Sequence, residues 1–422
     1  MNKRTEILAG VSTFLATMYI IVVNPAILNQ AGLPFSGVLT ATVLLSFLCS
    51  LMMGLYARNP LVVAPGMGLN AFFTFTAVKG MGIRPEVALG AVFWAGVLFL
   101  LLSTVNVRSA LVRLIPRPLR YAISAGIGLF IALIGFENAH FIVANPATLV
   151  GVARLTDPAV LTFVGGLLLT AVLLIRNVPG AIIIGIVLTT LAALPIGRWW
   201  GGTVPLVQWQ GLLALPDFSL IGKLDLVGSL RWSLWPVIFA FVFTDLFDSI
   251  STFVGVAEAA NLTDEHGEPL RLNRSLLTDA VATTLAGVLG TSPGTAYIES
   301  AVGIAQGGRT GLTAIVAGSL FLPFLFLSPL LSVIPAIATA PALVLVGAFM
   351  MKPILKIDWD HLDEALPAFL ALVLIPFSYS ITIGIVWGFL SWTIVRVFTG
   401  RVREIPAGLW VVDGLCVLSL VG

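Results

Sequence analysis

Apolar runs about as long as a bilayer is thick recur along the chain, separated by short polar breaks. A spanning helix needs about 20 mostly apolar residues. Fourteen candidate segments fit, at roughly 7–29, 38–57, 61–79, 86–105, 119–137, 158–175, 179–195, 233–257, 275–290, 291–307, 310–331, 333–351, 364–379 and 381–399. The third and tenth are odd, each short and interrupted by Pro and Gly. The tenth opens from the run Gly290-Thr291-Ser292-Pro293-Gly294-Thr295-Ala296-Tyr297-Ile298-Glu299-Ser300, which crowds small hydroxyl residues around the break and then places a carboxylate. An unsatisfied backbone group in hydrocarbon costs several kcal/mol, so non-helical chain at that depth is buried in protein or lines a polar cavity. This run is the expected centre of the molecule. In the third segment, β-prone Leu61 to Ala64 breaks at Pro65-Gly66. That pattern predicts a short extended stretch leading into a half-helix, mirrored by the tenth segment from the opposite side. The two half-helix N-termini would present free N–H groups and partial positive charge at mid-membrane.

Composition fixes the setting. Hydrophobic residues make up 58% of the 422, charged residues 10%, and mean hydropathy is +1.05, whereas a soluble domain is about a quarter charged. The chain reads as an all-α polytopic membrane protein with the lipid bilayer as its partner. A net charge of +2 gives no reason to expect a nucleic-acid partner. Lys3 and Arg4 precede an apolar run from Ile7 to about Leu28 that is too long for a signal peptide and lacks a small-residue cleavage signal, so it is expected to be the first span. With the N-terminus inside, the outer loops receive Lys79, Arg84, Arg154, Arg198, Lys223 and Arg231, and the inner loops the other sixteen of the 22 basic residues. That bias follows the positive-inside rule and places both termini in the cytoplasm. Cys49 and Cys416 read as packing residues. His140, His266 and His361 share no ligand spacing, so no metal site is expected.

The two halves echo each other in order. Pro65-Gly66 returns as Pro293-Gly294, the run Ala95 to Leu100 as Ala317 to Leu322, Ile115-Pro116 as Ile334-Pro335, and the run Ile184 to Val187 as Ile383 to Val386. Seven segments per half is an odd number, which turns the second copy upside down. Inverted repeats of this kind are the architecture of secondary transporters, whose sites lie near the midplane where broken helices meet. Between the halves, Trp199, Trp200 and Trp209 read as outer-interface anchors. The loop from Asn261 to Arg274 reads as a solvated connector, and the tail from Ile405 to Gly422 is expected at the inner interface.

Three acids stand inside the segments: Asp245, Asp248 and Glu299. The i, i+3 spacing of the aspartates puts both on one helix face, which Ser249 and Thr252 extend. No Lys or Arg lies at matching depth, so each acid must be protonated, cation-bound or hydrogen-bonded; an intramembrane acid marks function by default. A structural hydrogen-bond network between helices is the bland alternative. Asn70 offers a donor and an acceptor in one plane, suited to a heterocycle edge, or else packs helices. Phe72, Phe73 and Tyr297 could stack on a planar ligand, although aromatics there are more often core or lipid-facing.

These motifs resemble the nucleobase–ascorbate transporter superfamily, and within it the AzgA-like hypoxanthine/guanine/adenine permease branch. The likeness spans nearly the whole chain. It is carried by Thr17-Met18-Tyr19-Ile20 through Asn24-Pro25, by Gly66-Met67-Gly68-Leu69-Asn70-Ala71-Phe72-Phe73, by Phe247-Asp248-Ser249-Ile250 with Thr252, and by Tyr297-Ile298-Glu299-Ser300-Ala301 followed by Gly307-Gly308-Arg309-Thr310-Gly311. It departs at Pro293-Gly294, where relatives often carry further hydroxyl residues. The resemblance implies a core domain from residues 1–105 and 231–331 and a gate domain from 106–230 and 332–400, which leaves the interfacial tail at 401–422. It further implies elevator-like alternating access, with a homodimer possible through the gate. By position, Glu299 and Asp248 would bind the purine ring, with Gly68, Thr295, Phe73 and a selectivity-shaping Asn70 completing the substrate site. Asp245, Asp248 and Glu299 would serve proton coupling. The expected activity is proton-driven import of hypoxanthine, guanine or adenine across the cell membrane, with no cofactor. The rivals are a sodium-coupled nucleobase carrier, an inorganic anion carrier of the same fold and a passive channel. No nucleophile–base pair or metal motif suggests an enzyme.

Overall fold

The computed structural model describes residues 3–104, 116–201, 205–209, 211–260 and 271–421. Most of the connector from Asn261 to Arg274, with His266, lies outside the described residues, as do Arg108 and Arg113. Eight helices among the described residues are long and apolar enough to cross a membrane, and Ala181–Ala193 and Gly311–Phe326 are shorter apolar helices. Of the other expected segments, the ninth and thirteenth are the continuous helices Leu272–Leu289 and Leu362–Phe377, and the third and tenth fall on short, interrupted elements.

The first half runs through α1 (Lys3–Thr17), α2 (Ile20–Asn29), α3 (Phe35–Met52), β1 (Val63–Pro65), α4 (Met67–Ala71) and α5 (Pro85–Thr104). It continues through α6 (Arg117–Asn138), a β2–β3 hairpin (Ile142–Asn145 with Leu149–Val152), α7 (Pro158–Ile175) and α8 (Ala181–Ala193). The second half runs through α9 (Trp235–Ala260), α10 (Leu272–Leu289), β4 (Gly294–Ala296), α11 (Ala301–Ala305) and α12 (Gly311–Ser319). After α13 (Ser328–Ser332) come α14 (Ala336–Phe349), α15 (Leu362–Phe377), α16 (Ile381–Phe398) and α17 (Ala407–Val421).

Two groups of helices emerge from the packing. α5 lies along α10 and α9, α1 along α12 and α11, and α3 along α2, α12 and α10. Separately, α6 packs on α14 and α15, α15 on α16, and α7 on α8 and α14. Small residues permit the close crossings, as membrane interfaces require. A Cβ on Gly96 of α5 would sit 2.3 Å from the Thr284 nitrogen of α10, and one on Gly347 of α14 would sit 2.4 Å from the Gly128 carbonyl oxygen of α6.

β1 and β4 pair antiparallel, Val63 with Ala296, Ala64 with Thr295 and Pro65 with Gly294. Both strands are buried throughout. The pairing answers the problem of non-helical backbone in an apolar interior: Gly66 N–H donates to the Pro293 carbonyl and Tyr297 N–H to the Val62 carbonyl, each at 2.9 Å. Ser300 Oγ accepts from Val62 N–H at 3.0 Å, and Ser50 Oγ from Val63 N–H at 3.0 Å. Gly290 ends α10 at φ +93°, a conformation that favours glycine, and starts the turn into β4.

Two further features lie outside these helix groups. The connection after α6 folds as the β2–β3 hairpin. The tail, expected at the interface, forms α17, which packs on α16 with Leu409 fully buried; Thr393 donates to Asp413 Oδ2 at 2.6 Å, giving this acid a partner inside the fold. Trp199, Trp200 and Trp209 are exposed.

Candidate functional site

The crossing of β1 and β4 builds one wall of a cavity of about 70 Å³. α9 supplies Asp248 and Thr252, the start of α4 supplies Gly66, Met67 and Gly68, and β4 with the turn after it supplies Thr295 to Glu299. Tyr19, from the joint between α1 and α2, closes one side, and Val346 and Met350, from α14 and its C-terminal end, close another. Asp248 and Glu299 are each half-buried. Among the described residues neither is ion-paired. Tyr19 donates its hydroxyl to Glu299 Oε1 at 2.7 Å.

Four of the expected substrate residues, Glu299, Asp248, Gly68 and Thr295, share this cavity. Asn70 and Phe73 do not line it. Phe73 is fully buried in the apolar core, and its neighbour Phe72 stacks edge-on against Phe241 at 4.7 Å. Asn70 is fully buried in a polar network: it accepts from Ser292 Oγ and donates to Met67 Sδ at 3.8 Å. Asn24 extends that network, donating to Thr42 Oγ1 at 2.6 Å and Thr291 Oγ1 at 2.9 Å. Asn70 therefore reaches the cavity through Met67.

Asp245 also stands back from the cavity. It is fully buried and accepts from Thr283 of α10, which in turn donates to the Gly294 carbonyl at 3.2 Å. One turn on, Ser249 and Thr295 bridge α9 to β4 through their hydroxyls at 3.1 Å. The i, i+3 pair thus splits its duties, Asp248 facing the cavity and Asp245 the back of β4.

Sequence reasoning gave no site role to four contributors. Asp279 of α10 is a fully buried acid whose Oδ2 accepts from Ala296 N–H at 3.4 Å; the signal was an acid inside the ninth apolar run. Tyr19 was signalled by polar residues interrupting the first run. Val346 and Met350 carry no sequence signal, since nothing distinguishes them from other apolar positions. A second, larger cavity of about 370 Å³ involves Phe75, Lys79, Glu137 and Tyr379, but there the Tyr379 hydroxyl already occupies the Glu137 carboxylate.

The cavity thus brings together two half-buried carboxylates that are not ion-paired among the described residues. Residues 4–391 match the permease family, Xan_ur_permease. The chain belongs to this nucleobase–ascorbate transporter family. The permease is 43% identical to the adenine permease AdeP of Escherichia coli over 422 residues, 100% of this chain and 93% of that protein. It is 42% identical over 409 residues to the guanine/hypoxanthine permease PbuO of Bacillus subtilis, covering 95% and 93% of the two chains. Its fold matches the transmembrane domain of a cyanobacterium bicarbonate transporter, BicA, with a TM-score of 0.68 and 16% identity over 92% of this permease and 97% of that domain. The protein is a multi-pass membrane permease and not an enzyme.

Proposed function

We propose that this permease imports purine nucleobases, hypoxanthine, guanine or adenine, by proton symport. The observation that carries the reading is the placement of Asp248 and Glu299 on one cavity, with neither ion-paired among the described residues. Such a pair can accept hydrogen bonds from ring N–H and amino groups and can take up a proton. The named activities of AdeP and PbuO support the substrate class. The fold of BicA is shared, but two carboxylates repel an inorganic anion from this cavity. Sodium coupling is the weaker reading, because Na⁺ takes several oxygen ligands and Asp245 and Ser249 are already hydrogen-bonded.

In this reading Glu299 and Asp248 bind the ring, Gly68 and Thr295 wall it, and Asp245 joins them in proton coupling. Asn70 and Phe73 shape the wall from behind. No cofactor enters; the proton is the coupling ion. Fourteen segments form two inverted repeats of seven, with the strand-and-helix third and tenth as the broken pair. Residues 1–105 and 231–331 make the moving core and 106–230 and 332–400 the gate, a division supported by the two helix groups. Residues 401–422 dock as the tail. Both termini face the cytoplasm, the gate offers a homodimer contact, and the core moves against the gate like an elevator. One charge moved across 100 mV is worth about 2.3 kcal/mol, about fiftyfold accumulation.

The test is uptake of radiolabelled hypoxanthine by cells lacking their own purine carriers, with adenine, guanine, xanthine and uracil as competitors, at two pH values with and without sodium. Uptake stronger at acid pH, independent of sodium and blocked by purines but not uracil is expected. No uptake of any base under any condition would return the anion carrier to the front.

A further inference from the structure

We propose that Tyr19 is the positioning residue of this site: its hydroxyl holds Glu299 Oε1 and fixes the plane in which the carboxylate meets a ligand. The proposal rests on the reading of Glu299 as a ligand-binding group. Tyr19 is 1% exposed, and a buried phenol needs a hydrogen-bond partner. Its partner is a carboxylate from the other half of the chain, and a hydrogen bond to such an acceptor is among the stronger ones.

Three further features make the donor rigid. Tyr19 sits at the joint of α1 and α2, where Thr17 returns its hydroxyl to the Thr13 and Phe14 carbonyls at 2.9 and 3.3 Å as α1 ends. The next four residues, Ile20 to Val23, are all buried. Finally, α1 is fastened along its length to the segment that follows Glu299. Glu6 accepts from Arg309 N–H at 3.0 Å, Thr310 N–H at 3.2 Å and Thr313 Oγ1 at 2.6 Å, and Ser12 donates to Gln306 Oε1 at 2.6 Å. A Cβ on Gly303 would meet Thr13 Oγ1 at 2.1 Å, so the helices also touch past the Ser12 clamp, on the side nearer Tyr19 and Glu299. The phenol and the carboxylate are thus parts of one clamped unit. Such preorganisation orients a ligand without a fresh entropy cost. A carboxylate has more acceptor sites than Tyr19 fills, so Glu299 can still accept a ligand N–H, and Tyr19 lines the same cavity.

Tyr19→Phe removes one oxygen and keeps the ring. In the uptake assay KM for the best purine is expected to rise about tenfold with Vmax within about twofold, the signature of lost binding in ground and transition states alike. The double variant Tyr19→Phe/Glu299→Gln should bind no more weakly than Glu299→Gln alone, read as competition of the unlabelled base for labelled base on purified protein. A parental KM in Tyr19→Phe, or additive losses in the double variant, would overturn the proposal. Melting of the purified single and double variants gives a readout that needs no ligand: non-additive shifts are expected, and additive shifts overturn the Tyr19–Glu299 coupling even if the parent carries no purine. Absence of purine uptake by the parent itself would instead overturn the transport reading.

Discussion

The two arms that cross at the site are built alike and loaded differently. Each is a three-residue buried strand leading into a helical turn, β1 into α4 and β4 into the turn Ile298–Ser300 and α11. The first arm gives the cavity Gly66, Met67 and Gly68, while its one polar side chain, Asn70, is spent on a network with Ser292. The second arm gives the cavity Glu299, half-buried and held by Tyr19. A shared backbone solution therefore does not imply shared chemistry. One arm shapes the cavity and the other carries its charge.

The most direct way to break this contrast is to neutralise the charged arm. Glu299→Gln is expected to lower purine uptake by about 10- to 100-fold, the loss of a hydrogen bond to a charged group, and to abolish accumulation while the protein stays folded and abundant; labelled uptake and membrane abundance read both. Crowding the shaping arm should do less. Gly68→Ala places a Cβ 2.7 Å from Ile127 Cγ2, the end of a side chain that can shift, so KM should rise a fewfold with accumulation intact. The smallest effect on transport is expected from Asn70→Ala. It leaves the buried Ser292 hydroxyl only the longer contact to Asn24 Oδ1 at 3.4 Å, a loss of up to about 1–3 kcal/mol, and should lower the melting temperature while uptake stays within about threefold of the parent. If Asn70→Ala erased accumulation as fully as Glu299→Gln, the division of labour would be wrong.

The residues divide along the same line in how legible they were. Glu299 and Asp248 announced themselves because a carboxylate inside an apolar run has few structural excuses. Pro65-Gly66 and Pro293-Gly294 announced the breaks, since neither residue suits a helix interior. That Asn70 stands behind the cavity was not legible, because its spacing from Gly68 says nothing about Ser292, which lies 222 residues away in the chain. Phe73 suffered the same fate, its burial decided by neighbours from other helices. Asp279 was readable and passed over. Val346 and Met350 were not readable at all: wall positions contributed by another helix group look like any other apolar residue. The β2–β3 hairpin had a local signal in Ile142-Val143 and the Asn145-Pro146 turn, hidden among the longer apolar runs.

The pairing of β1 with β4 also bears on how the protein is made. The Tyr297 hydroxyl that donates to the Pro65 carbonyl lies 232 residues further along the chain, and the Ser300 oxygen that receives Val62 N–H lies 238 residues beyond it. A ribosome adding about 5–20 residues per second leaves β1 without those partners for at least some ten seconds after it emerges. Bare strand backbone is not tolerated against lipid. The third segment must therefore wait in water, in the translocon or against earlier helices, and the binding site closes only when the second half of the chain arrives.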